Sequence, residues 1–510
     1  MPDSLLVENC PRLACRRGRR IVLALAGGLT LLVAAIGRPA AHLLSTALDD
    51  VAVIEPTPAG FADDASRLNR TAVAEVASLA GDPADIDSQL SALLARARAE
   101  GRRVSIAGAR HTMGGHTIYP GGLVIDMLPF HAMQLDEEKN RLHVQAGATW
   151  AQIIPFLDAH GRSVAVMQSN NSFSVGGSLS ANCHGWQFGR PPIASTVESF
   201  RLMKADGQVV RCSRDENAEL FSLVLGGYGL FGIILDVDLR VVPNERYRLE
   251  QFVVPTEQAL AAFDRHIAGR PDAAMAYGRM SVDAEHFLGE TMLSVFYRDP
   301  APEAPLPPLT DSKWASIERT VLRGSAGSDY GKRLRWQAET KLQPTIAPRY
   351  FSRNQLLNEG VERFQQRSPT ATDILHEYFL PRDGLPEFVA RASRILPSHA
   401  ADLLNVTIRE VETDNDSMLR YADQPVFALV MLFDQQRTAA AEADMQALTR
   451  QLIDAAIAGG GRYYLPYRLH ATTEQFRRAY PAADRFFALK RQYDPDELFQ
   501  NEFYLKYKDP

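Results

Sequence analysis

The chain has 510 residues, 46% of them apolar and 23% charged, enough to bury more core than one ordinary domain holds. Net charge is −6 and the basic residues beyond the N-terminus are dispersed, which excludes the electrostatic footprint of a nucleic-acid binder. Four cysteines are too few for a disulfide framework; Cys183 and Cys212 are the one pair inside the main body that a bridge could join.

In chain order, residues 1–20 form a tail ending in Arg16-Arg17-Gly18-Arg19-Arg20, followed by an uncharged apolar run, Ile21–Gly37. That run is the short end of what spans a bilayer and the long end for a signal-peptide core. The arginines before it hold the tail in the cytoplasm and place the remainder across the membrane, here a bacterial inner membrane with a periplasmic catalytic domain. Arg19-Arg20-Ile21-Val22-Leu23 loosely resembles a twin-arginine export signal, so the segment reads as a transmembrane anchor or as a signal. Residues 38–66, rich in Ala, Pro and Asp without periodicity, read as a linker.

Residues 67–245 read as a mixed α+β unit. Leu90, Leu93, Leu94 and Ala97 recur at helical spacing over Ile86–Gly101. Strands are expected at Arg103–Ala107, Gly122–Asp126, Arg141–Ala146, Ser195–Ala205 and Ile233–Val242, with helices at Thr149–His160 and Glu216–Leu225. Residues 246–475 alternate longer strands and helices around a proline-rich stretch, Asp299–Asp311, that reads as an exposed loop or hinge. Residues 476–510 carry so many aromatic side chains that the segment is expected to dock onto a domain.

Chemistry is carried by three glycine-rich segments: Ala107–His116, Ser174–Gly185 and Gly226–Gly232. Glycines let the backbone approach a ligand and turn N–H groups toward an anion. The third segment fits G-x-G-x-x-G, but it follows a helix and precedes a strand. A dinucleotide fingerprint needs the reverse order, so a Rossmann site is rejected.

The order and spacing of these segments resemble the FAD-binding domain of the vanillyl-alcohol oxidase and p-cresol methylhydroxylase (PCMH) family. The match includes Leu202-Met203-Lys204-Ala205-Asp206-Gly207 and, near the end, Lys490-Arg491-Gln492-Tyr493-Asp494-Pro495. The resemblance implies an α+β fold with a PCMH-type FAD domain and an α+β substrate domain. It assigns Ala107, Gly108, Ala109, Arg110, His111, Thr112, Gly114 and Gly115 to the pyrophosphate. Gly176, Gly177, Ser178 and Asn182, in the segment closed by His184 and Gly185, fall to the isoalloxazine and ribityl side, and Gly229, Gly232 and Ile233 to the adenine end. His111 stands where many members attach the flavin covalently.

On the substrate side, Leu404–Arg409 and Gly460–His470 resemble segments of alditol and aldonolactone oxidases and of decaprenylphosphoryl ribose oxidase. Tyr467 stands where the ribose oxidase has a catalytic lysine. Arg409, Tyr467, Arg468 and His470 are the implied catalytic set, while Glu377 reads either as a solvated strand position or as a further site residue. The implied activity is oxidation of an alcohol carbon in a polyol, sugar or aldonolactone, with O2 or another electron acceptor and no metal. The alternatives are a flavin-dependent C=C reductase of a lipid or sterol, and a non-catalytic flavin-binding protein.

Overall fold

Short strands and helices build the half expected to hold the flavin, because each apolar stripe finds a facing partner. The computed structural model describes residues 37–50, 54–80, 85–301, 304–310, 315–346 and 348–509. Residues 1–51 and 52–510 are separate compact units. In the first unit residues 37–49 are helical, where an irregular linker was expected. Ala40, Ala41, Leu43, Leu44, Ala47 and Leu48 are strong helix formers, which composition read as a whole obscured. The Ile21–Gly37 run, apart from Gly37, lies outside the described residues. No helix of the described residues is long and apolar enough to cross a membrane.

In the second unit, β1 (Phe61–Ala62) pairs with β2 (Thr71–Ala72), and β3 (Glu75–Ser78), β4 (Val104–Ala107) and β5 (Leu123–Asp126) form a parallel sheet with β5 central. The helix Ile86–Ala99 buries Ile86, Leu90, Leu94 and Ala97, one stripe at helical period. An antiparallel sheet follows: β6 (Met133–Asp136), β7 (Arg141–Gln145), β8 (Arg162–Val164), β9 (Val197–Met203), β10 (Val209–Ser213) and β11 (Ile233–Pro243), in the order β10-β9-β11-β7-β6 with β8 on β11. Thr149 and Gln152 make a capping box at the helix Trp150–Ala159. The C-terminal segment joins this half. Val104 N–H donates to Leu498 O at 2.8 Å, Gln500 N–H donates to Val104 O at 2.9 Å, and Leu498 and Phe499 enter the core around Leu90. Cys183 and Cys212 are both buried and free, so the conceivable bridge between them is not formed.

The other half is one sheet of β12 (Arg246–Pro255), β13 (Ala273–Met280), β14 (Glu290–Arg298), β15 (Tyr350–Ser352), β16 (Ala371–Pro381), β17 (Asp402–Val411), β18 (Val426–Gln436) and β19 (Arg462–Tyr463), ordered β15-β12-β14-β13-β17-β18-β16-β19. Register places Glu377, Val430, Thr407 and Arg279 in one row across β16, β18, β17 and β13. Residues opposite one another share a face, and Asn405 and Arg409 join that face at two-residue spacing. His376 takes the other face, where its Nε2 meets Thr449 Oγ1 of the helix Ala439–Ala458 at 3.2 Å. The helices Ala315–Arg323 and Asp329–Gln337, with residues 338–346, cover part of the Glu377 face. Arg335 of this segment bonds Leu404 O, and Trp336 bonds Glu290.

The halves also share sheet structure. β17 pairs with β13 only at Gly278–Met280, and the segment around Gln187 pairs with β13 further along. Phe188 N–H donates to Ala274 O at 3.1 Å and Ala276 N–H to Trp186 O at 2.9 Å.

Candidate flavin and substrate site

The loop after β4 is shaped by contacts at both ends. A Cβ on Gly108 would lie 2.0 Å from Ser174 Oγ, and the Ala109 N–H donates to that oxygen at 3.3 Å. Arg110 adopts φ 56°, and its guanidinium pairs with Asp126 at 3.1 Å. Among the described residues, the backbone N–H groups of Arg110, His111 and Thr112 meet no protein acceptor, and the Thr112 hydroxyl is buried without a partner. Unspent donors gathered on one turn form an anion-binding nest. The far end is fixed: Gly115 N–H donates to Asp64 Oδ2 at 2.8 Å, and Met113 O accepts from Asn69 Nδ2 and Arg468 Nη1, each at 3.0 Å. The His111 ring stacks on Phe173 with centroids 4.1 Å apart, and burial pushes its pKa down to about 4, so it is neutral at pH 7.

Within the second glycine segment, Val175–Ser180 form a short helix. Gly176 is required by packing, since a Cβ would stand 2.9 Å from Ala146 Cβ. Ser178 Oγ is committed to protein, accepting from Trp150 Nε1 at 2.9 Å and donating to Gln168 at 3.0 Å. Asn182, at φ 47°, is committed as well. Its Nδ2 donates to Asp414 at 2.9 Å, its Oδ1 accepts from Ala194 N–H at 3.2 Å, and its carbonyl accepts from Tyr421 OH at 2.7 Å. Asn182 thus clamps the 414–421 loop of the substrate half to the flavin half. Gly185 approaches Met167 O so closely that a Cβ would lie 2.0 Å away. In the third segment Gly229 has φ 75°, and a Cβ on Gly232 would sit 2.5 Å from Met203 O, which fixes the entry into β11 at Ile233.

Two of the four residues expected to act on substrate come together. Tyr467 OH donates to Glu377 Oε2 at 3.1 Å, and Glu377 Oε1 lies 2.5 Å from His184 Nε2. Burial, reinforced by Glu377, pushes the Tyr467 phenol far above its ordinary pKa; the positive charge of Arg409 opposes the shift. The phenol therefore keeps its proton. Arg409 Nε is buried without a hydrogen-bond partner. Tyr421, Tyr464 and Phe379 ring the His184 imidazole. Arg468 and His470 point elsewhere. Both bond Glu442 on the helix Ala439–Ala458, and His470 Nδ1 meets Thr449 Oγ1 at 2.9 Å, on the opposite side of the sheet from Glu377. Burial pushes Glu442 up, but His470 and Arg468 pull harder and hold it down at about 2. Arg468 also braces the loop through Met113 and Asn69.

The profile of the family described as "FAD binding domain" matches residues 83–213. Over 175 residues the chain is 29% identical to L-gulonolactone oxidase of Mus musculus, covering 34% of this chain and 40% of that enzyme. It is 30% identical to D-arabinono-1,4-lactone oxidase of Yarrowia lipolytica over 37% of this chain and 36% of that one. Against cytokinin dehydrogenase 7 of Oryza sativa subsp. japonica it is 26% identical, over 78% of this chain and 80% of the relative. Residues 83–213 are an FAD-binding domain, the relatives matched are PCMH-type FAD oxidoreductases, and the chain spans about 40% of the length of L-gulonolactone oxidase. FAD is the chain's cofactor. The unspent N–H groups at Arg110–Thr112 fit a pyrophosphate, while the side-chain polar atoms of Ser178 and Asn182 are answered by protein.

Glu377 is the residue whose place sequence pattern concealed. A solvated strand position is ruled out, because Glu377 is 4% exposed. One signal was present: it is the one carboxylate in the apolar run Ile374–Leu380, and an ionisable group in such a run is either buried with partners or at an edge. Asp414, Asp64 and Glu442, which fix Asn182, Gly115 and Arg468, carry no local motif.

Proposed function

We propose that this FAD-linked oxidoreductase oxidises an alcohol carbon of a polyol, sugar or aldonolactone. The observation that carries the reading is the buried chain His184–Glu377–Tyr467, which joins the flavin half to the substrate sheet beside the unpartnered Nε of Arg409. FAD, when bound, supplies the hydride acceptor. The protein's task is then to take the hydroxyl proton and steady the negative oxygen that its loss creates. Tyr467 retains its proton and donates to Glu377, so Glu377 is the proton acceptor and His184 its relay. Arg409 supplies the positive charge for the developing alkoxide. Such a polar face is poorly matched to an apolar sterol. His111, neutral and stacked on Phe173, is the proposed point of covalent flavin attachment; acid-precipitated protein should stay yellow and His111→Ala should release its flavin.

A cytokinin is the second reading, carried by the longer alignment to cytokinin dehydrogenases. Anaerobic bleaching of the flavin across alditols, aldonolactones and a cytokinin separates the two. Bleaching by the cytokinin alone would overturn the alcohol reading.

A further inference from the structure

The Glu377 row does not stop at the proton acceptor. It continues through Val430 and Thr407 to Arg279, three strand spacings away, or about 14 Å between backbones. At that far end the partly buried Arg279 and the buried Arg335 share one carboxylate. Arg279 Nη2 lies 3.0 Å and Arg335 Nε 2.9 Å from Glu339, and Arg279 Nε is buried with no acceptor. Burial pushes Arg335 down to about 10, and Glu339 resists this while Arg279 and Arg363 add to it. Arg363 is already answered by Glu359 and Glu318, both about 40% exposed. Among the described residues one positive charge at this end thus has no carboxylate of its own, and a buried cation without a counter-ion is costly. The pair is not sealed off, since the side chains of Arg279 and Glu339 remain 18% and 19% exposed.

We propose that Arg279 and Arg335 form a subsite for an anionic group, a carboxylate or phosphate monoester, borne by the substrate at the end remote from the oxidised carbon. The inference rests on the reading of Glu377 as the reacting end. An acid-bearing polyol would lie along the row, with its hydroxyls against Thr407 and Asn405, whose Oδ1 is buried without a donor. The anion would supply the second negative charge that the two arginines lack. The helical segment that brings Arg335 over the sheet is then what distinguishes acidic from neutral substrates.

The test is equilibrium titration of the FAD-loaded protein with sorbitol, gluconate and sorbitol 6-phosphate, read as perturbation of the flavin absorption band and separately as anaerobic bleaching. At least one acidic ligand should bind about tenfold or more tightly than sorbitol, and which one identifies the anion. Arg279→Met should remove that preference and leave sorbitol binding unchanged. Glu339→Gln should strengthen it, because the competing carboxylate is gone. Equal binding of all three ligands, or loss of acid binding in both variants alike, would overturn the subsite. Selective acid binding without bleaching by any alcohol would keep the subsite and overturn the alcohol reading.

Discussion

Glu377 is held between a phenol that keeps its proton and an imidazole 2.5 Å away, and in the proposed function its carboxylate receives the substrate proton. Glu377→Gln keeps the volume and one acceptor oxygen, turns the other into an NH2 donor, and cannot accept a proton. Flavin reduction should slow by about 10²-fold or more with FAD content unchanged, the usual scale for losing a general base. Retention of full rate would move the base to another residue. His116 predicts a pH effect on stability. Its ring is buried between Tyr228 and Phe503, and burial pushes its pKa down to about 3. The unfolded chain takes up a proton near 6.5 and the folded one does not, so this stability is complete above pH 6.5 and declines as pH falls toward 3. In urea titrations between pH 7.5 and 4.5, His116→Leu should lose less stability than the parent. A steeper loss in the variant would contradict a neutral buried ring.

The loop after β4 and the helix Val175–Ser180 function as one element, because Gly108 leaves no room for a Cβ against Ser174. Gly108→Ala should therefore reduce bound FAD at least tenfold, and adding Ser174→Gly should restore part of it, by relieving the 2.0 Å contact. Arg468→Gln should likewise lower FAD occupancy through Met113 and Asn69, while the FAD-loaded fraction reacts at the parent rate. A slow but fully loaded Arg468→Gln would return Arg468 to the catalytic set. The flavin half was legible in sequence at this level, since glycine spacing, the Thr149 cap and the period of Ile86–Ala99 are local signals. The rest depended on pairing across long sequence separations. Tyr467, Arg468 and His470 are near neighbours in the chain, yet the segment turns at the sheet edge and delivers Tyr467 to one face and His470 to the other. Sequence proximity could not show that division.

At the level of the whole molecule, residues 52–510 are one unit, and both halves contribute to the site. The Arg16–Arg20 cluster ahead of Ile21–Gly37 carries the expectation of a periplasmic catalytic unit. A reporter fused after Pro510 should be active only outside the cytoplasm, and activity confined to the cytoplasm would overturn that expectation.

The pairing of the Gln187 segment with β13 bears on protein engineering. A chimera that takes its substrate half from a relative and changes parent at residue 245 would set a foreign β13 beside a native Trp186–Phe188 segment. The mismatch would fall within a few residues of His184 and the 414–421 clamp. Productive crossovers should instead carry residues 182–190 with the incoming half, so that the inherited block is discontinuous in sequence though contiguous in space.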